Sequence, residues 1–134
     1  MTRSRLQGTL LLVDDDDALA EMYALQLTAS GFDVTTASSG VEALALANDV
    51  LPDLICLDLG LPGMTGLEVL ERLRSAPNTA AVPIVILTNF SEPEMMERGK
   101  ALGAQDYLVK VDTPPALLAA AARKWVPRRT DSST

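Results

Sequence analysis

Short aliphatic runs recur along this chain, each separated from the next by a longer stretch with helical spacing and its own start and stop signals. An alternation of short strands and longer amphipathic helices is buried most economically by a parallel sheet whose crossovers are the helices. The runs are Thr9 to Asp14, Phe32 to Ala37, Leu54 to Asp58, Val82 to Thr88 and Asp106 to Lys110, so five strands and five helices are predicted. Leu54 to Leu57 and Ile84 to Leu87 are apolar without alternation, as central strands covered on both faces are. The fold class is therefore α/β, a three-layer sandwich around a five-stranded parallel sheet. Strand order is not written in the sequence. A doubly wound 2-1-3-4-5 order would bring the ends of strands one and three together at its switch point.

The helices announce themselves unevenly. In the first, Leu19, Met22, Tyr23 and Leu27 recur at helical spacing, Asp16 or Asp17 can cap the start and Gly31 supplies a left-handed end. The second is predicted to begin at Ser39, with Glu42 completing a capping box and Val41, Leu44 and Ala45 as its apolar face, and to end near Asn48. Leu67, Leu70 and Leu73 line the third, which gives way to a loop at Pro77 and Asn78. Ser91 and Glu94 suggest another capping box for the fourth, which stops at Gly103. The fifth is expected from Thr113, with Pro114 in its first turn, to about Trp125.

With 134 residues there is room for one domain. Residues 9–126 are assigned to it, 1–8 to a flexible N-terminus and 127–134 to a disordered polar tail. Arg3 and Arg5 precede an apolar run that is too short for a signal peptide and runs into four aspartates, and no run approaches the length of a membrane span, so a cytoplasmic protein without membrane contact is expected. The single Cys56 sits in an apolar run and reads as a core residue. A net charge of -7 with scattered basic residues leads to the expectation of no direct nucleic-acid binding. The chain has no histidine, which removes Ser-His and Cys-His nucleophiles and histidine-containing zinc sites.

The remaining chemistry converges on one edge of the predicted sheet. Asp14 and Asp15 end strand one, Asp58 ends strand three, Thr88 ends strand four and Lys110 ends strand five. In open α/β sheets ligands bind outside these carboxyl ends. Carboxylates gathered there repel one another by about 4 kcal/mol per close pair at an effective dielectric near 20, which calls for a cation. Oxygen donors without histidine or a nearby thiol favour Mg²⁺, completed by a phosphate oxygen. Lys110 and the Thr88 hydroxyl can serve other phosphoryl oxygens. Taken singly, the aspartates can be loop or cap residues, Thr88 a strand end and Lys110 a surface lysine. Their equivalent placement on successive strands is what favours a site.

Four segments in order carry a resemblance: Leu12 to Asp15, Leu57 to Gly66, Ile86 to Thr88 and Gly103 to Lys110. Over roughly Thr9 to Trp125 the chain resembles response-regulator receiver domains of two-component signalling, and a stand-alone receiver of the chemotaxis-regulator kind, relaying its signal by contact with a protein partner, is expected. The resemblance implies that Asp58 is the phosphoacceptor and that Asp14, Asp15, Asp58 and the backbone carbonyl of Gly60 hold Mg²⁺. It implies that Lys110 contacts the phosphoryl group, that Thr88 turns toward it, and that Tyr107 swings inward behind, remodelling the surface of helix four, strand five and helix five to regulate a protein partner. The implied chemistry is self-catalysed phosphorylation and dephosphorylation of one aspartate, with no other enzymatic activity. Since the chain lacks histidine, its donor is expected to be a separate histidine kinase or histidine phosphotransfer protein.

Three residues depart from the usual pattern: Val111 where proline commonly follows the lysine, Asn89 after Thr88, and the small Gly60 two residues after Asp58. Altered phosphorylation or hydrolysis rates, of either sign, are expected, with Asn89 narrowing access and Gly60 widening it. A phosphorylation-dependent dimer through helices four and five stays open, although Met95, Met96 and Trp125 read more naturally as core or partial core. The alternative function is a phosphorylation-independent adaptor on the same fold. A small Mg²⁺-dependent phosphatase or nucleotide-binding enzyme lacks the glycine-rich loop it would need after strand one.

Overall fold

The computed structural model of the chain describes residues 7–126. The assigned N-terminal segment lies outside them except for Gln7 and Gly8, and the tail 127–134 lies wholly outside. Strands β1 (Gly8–Val13), β2 (Phe32–Ala37), β3 (Leu54–Leu57), β4 (Ile84–Thr88) and β5 (Asp106–Val109) alternate with helices α1 (Asp17–Ala29), α2 (Gly40–Val50), α3 (Gly66–Ser75), α4 (Pro93–Ala101) and α5 (Pro115–Trp125). All neighbouring strands are parallel, in the order β2-β1-β3-β4-β5. The predicted architecture and the doubly wound order are both present.

Side chains of a strand point alternately to its two faces, and the central strands fill a core on each. Leu11, Val13, Ile55, Leu57, Ile84 and Ile86 meet α2 and α3 on one face, with Met95 and Met96 of α4 partly buried against them. Leu10, Leu12, Leu54, Cys56, Val85 and Leu87 meet α1 and α5 on the other, with Trp125 partly buried there. Cys56 is fully enclosed, and burial pushes its thiol up to about 12.

Several helix details differ from the sequence reading. Asp16 caps α1, its carboxylate accepting the Leu19 N–H, but Met22 is exposed and Ala20 joins Tyr23 and Leu27 on the buried face. Helix α2 buries Gly40, Ala43 and Ala47, whereas Val41 and Ala45 face outward and Leu44 is only half-buried. Small residues let α2 approach the sheet closely, so the apolar bulk that suggested Val41 and Leu44 was the wrong guide. Glu42 accepts from the backbone and hydroxyl of Ser38 instead of closing a box on Ser39, and the helix runs on to Val50.

The complete capping box belongs to α3, between Thr65 and Glu68. Helix α4 is capped by Glu92 without a side-chain bond, because Pro93 takes the first helical position and displaces the Ser91 start. In the same way α5 starts at Pro115 behind Pro114, two residues later than expected, after a separate 3-10 turn over Lys110–Asp112.

Candidate functional site

The strand order sets β1 between β2 and β3, so residues following Val13 and Leu57 emerge side by side. Asp14 and Asp58 are both buried there, and Asp15 is exposed at the rim. Each of the three can offer a carboxylate oxygen within 4.8 Å of those of the other two. The backbone fixes the first two tightly. Asp14 Oδ1 accepts the Asp16 N–H at 2.9 Å, and Asp58 Oδ1 accepts the Gly60 N–H at 3.1 Å. The Asp58 N–H itself continues the sheet by donating to the Val13 carbonyl.

Lys110 closes the cluster from the end of β5. Its Nζ lies 2.8 Å from Asp58 Oδ2 and 2.7 Å from Asp14 Oδ2. The Asp58 contact is an aligned hydrogen bond, while Asp14 Oδ2 has the ammonium beside it as an ion pair without good hydrogen-bond alignment. Burial alone would lower the Lys110 pKa, but its close contacts with Asp14 and Asp58, and their negative charges, raise it overall. Burial raises the Asp14 pKa, against the opposing pull of Lys110 and the Asp16 N–H, and the Asp58 charge pushes it the same way. One ammonium is thus shared between two carboxylates and does not fully compensate the buried Asp14. A hard oxygen cluster with a poorly served buried oxygen fits a divalent cation of the magnesium kind.

Thr88, buried at the end of β4, accepts the Phe90 N–H on its hydroxyl at 3.4 Å. Tyr107 is buried and already lies inward, its hydroxyl donating to the Phe90 carbonyl, so the inward swing that the resemblance implies would not be a departure from this arrangement. Every predicted site residue therefore stands at this edge of the sheet. Asn89 is exposed, and it is the next residue, Phe90, whose ring borders the space left by Gly60: a Cβ on Gly60 would come 3.4 Å from that ring. The opening expected at Gly60 is thus walled on one side by an aromatic ring.

Sequence reasoning assigned no role to Phe90, Gly66 or Tyr23. Gly66, inside the Leu57 to Gly66 segment, brings the start of α3 so close that a Cβ would lie 2.3 Å from the Asp58 carbonyl oxygen. Tyr23 donates its hydroxyl to the Thr113 carbonyl just past Lys110. On the sequence, Tyr23 counts only as an apolar member of its helix, and the closeness of Gly66 to the Asp58 backbone has no signature. On the α3–α4 side, an open cleft of about 840 Å³ leads from Gly60 and Phe90 between Leu67 and Met95.

A family model described as the response regulator receiver domain matches residues 10–122. The phosphate regulon transcriptional regulatory protein PhoB of Rhizobium meliloti is 42% identical over 110 residues, covering 82% of this chain and 48% of that protein. The DNA-binding response regulator MtrA of Mycobacterium tuberculosis is 41% identical over 114 residues, 85% of this chain and 49% of its own. The chain spans about half the length of these curated relatives. Among solved structures, chemotaxis protein CheY4 of Vibrio cholerae aligns with a TM-score of 0.83 at 34% identity, over 89% of this chain and 98% of that one. The BeF3-activated receiver domain of Klebsiella pneumoniae RstA gives 0.82 at 31% identity, over 90% and 99%.

These relatives overturn the expectation of no direct nucleic-acid binding, because MtrA is by name a DNA-binding response regulator. The net charge of -7 describes 134 residues, whereas the relatives are about twice as long, so the acidic balance of this stretch carries no weight against DNA contact. Among the described residues no helix is long and apolar enough to cross a membrane. The motifs, the sheet order and the family match agree: the chain belongs to the response regulator receiver domain family.

Proposed function

We propose that Asp58 is the phosphoacceptor of a signalling switch and takes its phosphoryl group from a phosphohistidine on a histidine kinase or histidine phosphotransfer protein. The observation that carries this reading is the Lys110 ammonium drawn between Asp58 Oδ2 and Asp14 Oδ2 at 2.8 and 2.7 Å. Such a cation faces the place where phosphoryl charge would gather. An Asp58 oxygen forms its bond to phosphorus as the P–N bond breaks, and the pair of electrons returns to the donor's ring nitrogen. A proton on the other ring nitrogen leaves that imidazole neutral.

Asp14, Asp15 and Asp58, with the backbone carbonyl of Gly60, would hold Mg²⁺. The ion, when bound, supplies positive charge against the carboxylates and the phosphoryl oxygens. Asp14 is kept in place for this by the Asp16 N–H, and Asp58 by the Gly60 N–H.

The response runs through Phe90. For the Thr88 hydroxyl to turn toward a phosphoryl oxygen it must give up the Phe90 N–H, and the carbonyl of Phe90 is what holds Tyr107 inward. A change at Asp58 is thereby passed to α4, β5 and α5, the surface we assign to the output partner. The DNA-binding names of the relatives support an output directed at DNA. A cytoplasmic setting belongs to the proposal.

The test is to treat the protein with Mg²⁺ and acetyl phosphate or a phosphohistidine donor, and to weigh wild type and Asp58→Asn intact. A phosphoryl-sized gain in wild type alone is expected. No gain with any donor would leave the adaptor on the receiver fold as the better reading. Timing phosphate loss from wild type and Asn89→Ala tests the altered kinetics, and equal lifetimes would remove Asn89 from the account.

A further inference from the structure

We propose that Tyr23 is a positioning residue for Lys110, acting through the turn that carries the lysine. This rests on the reading of Lys110 as the cation that meets the phosphoryl group.

Lys110 stands where regular structure runs out. The last ladder pair of the edge strand joins Val109 to Thr88, and the chain then enters the 3-10 turn Lys110–Asp112. Val111 is 82% exposed and Asp112 is exposed too, so neither side chain anchors the turn by packing. No proline stiffens Lys110 to Thr113. Two hydrogen bonds close the segment on itself: the Thr113 N–H donates to the Lys110 carbonyl at 3.0 Å, and the Thr113 hydroxyl to the Val109 carbonyl at 2.8 Å. They set the shape of the turn but not its place against the rest of the domain.

Beyond the β5 ladder that ends at Val109 and the buried Thr113 side chain, the turn is tied to the rest of the domain by Tyr23. The Tyr23 hydroxyl donates to the Thr113 carbonyl at 2.7 Å in a buried contact that spans 90 positions of sequence. The ring is 2% exposed and packed in the core that α1 and α5 share with the sheet, so the hydroxyl cannot leave without opening that core. Burial raises the phenol pKa; nearby Lys110 opposes the rise and Asp14 adds to it, and the group remains a neutral donor. Since α1 begins directly after Asp14 and Asp15, one helix fixes both sides of the site, the acidic pair through its start and the lysine through Tyr23. A lysine stem is long and flexible, and displacement of its root by about 1 Å can cost a large factor in rate.

Tyr23→Phe keeps the ring and removes only the donor. Three measurements separate positioning from general loosening. The rate of phosphorylation by acetyl phosphate with Mg²⁺ should fall about two- to tenfold, the factor one hydrogen bond commands. Acetylation of Lys110 by acetic anhydride, read by peptide mass, should rise by a similar factor while Lys100 and Lys124, both exposed, stay unchanged. In a Lys110→Ala background, Tyr23→Phe should slow phosphorylation no further, because the group it positions is gone.

The same fractional slowing in both backgrounds, or unchanged Lys110 reactivity in Tyr23→Phe, would overturn the proposal. If wild type accepts no phosphoryl group from any donor, the phosphoacceptor reading falls, and the acetylation contrast still decides whether Tyr23 holds Lys110.

Discussion

Tyr107 donates its hydroxyl to the Phe90 carbonyl at 2.7 Å, joining the edge strand β5 to the loop between β4 and α4. The ring lies beneath Gly99, where a Cβ would come 3.4 Å from it and 2.5 Å from Ile86, so α4 rests on Tyr107 through a glycine. That helix has no side-chain cap bond at its start and carries Gly99 in its interior, both of which weaken it.

Tyr107→Phe is expected to keep the ring packed and lose the tie. Stability should fall by about 0.5–1 kcal/mol, the net worth of one partly buried hydrogen bond. Amide exchange at Phe90 and Ser91 should quicken more than exchange in β1 or β3. If exchange rises evenly through the domain, Tyr107 contributes to the core alone and not to the loop.

Gly66 presents a sharper case. Its N–H donates to the Leu59 carbonyl at 3.1 Å, and an added Cβ would meet the Asp58 carbonyl oxygen at 2.3 Å and Leu59 Cα at 2.4 Å. Both are backbone atoms, so relief requires moving the chain that carries Asp58. Gly66→Ala should cost about 1–3 kcal/mol as overpacking does, and should slow phosphorylation beyond any loss of folded protein. Denaturant melts paired with acetyl phosphate kinetics measure the two separately. Wild-type kinetics in the folded fraction would show that the strain is absorbed elsewhere.

The contrast between Gly66 and Lys110 shows what the sequence could disclose. Apolar runs ending in Asp14, Asp58, Thr88 and Lys110 signalled both sheet and site, because a parallel sheet exposes its functional residues at strand ends. The start of α3 at Gly66 was invisible as a requirement, since it depends on how near the helix comes to the Asp58 backbone. The faces of α2 were misjudged for a related reason: Ala43 and Ala47 are buried by close approach, while bulky Val41 is left outside. Tyr23 and Phe90 act through atoms that pattern reading ignores, a phenol hydroxyl on an apolar stripe and a main-chain carbonyl.

Leu51 offers a stabilising change far from the site. It follows α2 with φ 51° and ψ 63°, a left-handed conformation that costs a branched side chain about 1–2 kcal/mol. The residue is 56% exposed, so little burial is lost on removal. Leu51→Gly relieves the strain but loosens the unfolded chain by about 0.5–1 kcal/mol. A net gain of up to about 1 kcal/mol is expected, with phosphorylation unchanged. A lower urea midpoint than wild type would mean that the Leu51 side chain packs better than its exposure suggests.

Cys56 gives the protein an alkaline weakness with a definite direction. Its thiol, ordinarily near 9.0, is pushed up to about 12 by burial, so the folded state holds the proton and the unfolded state releases it earlier. The contribution to stability is whole below about pH 9 and is lost as pH climbs toward 12, at up to about 1.4 kcal/mol per pH unit. The Tyr23 and Tyr107 phenols, raised from 10.0 chiefly by burial, and Lys110, raised from 10.5 by its two carboxylates against the cost of burial, add losses of the same sign higher up. Cys56 should therefore dominate the first part of the decline. Urea midpoints taken at pH 7.5, 9 and 10 should drop more for wild type than for Cys56→Ala between the last two, even though the variant starts from a lower value. Parallel declines would mean that the thiol reaches solvent before the rest of the domain unfolds.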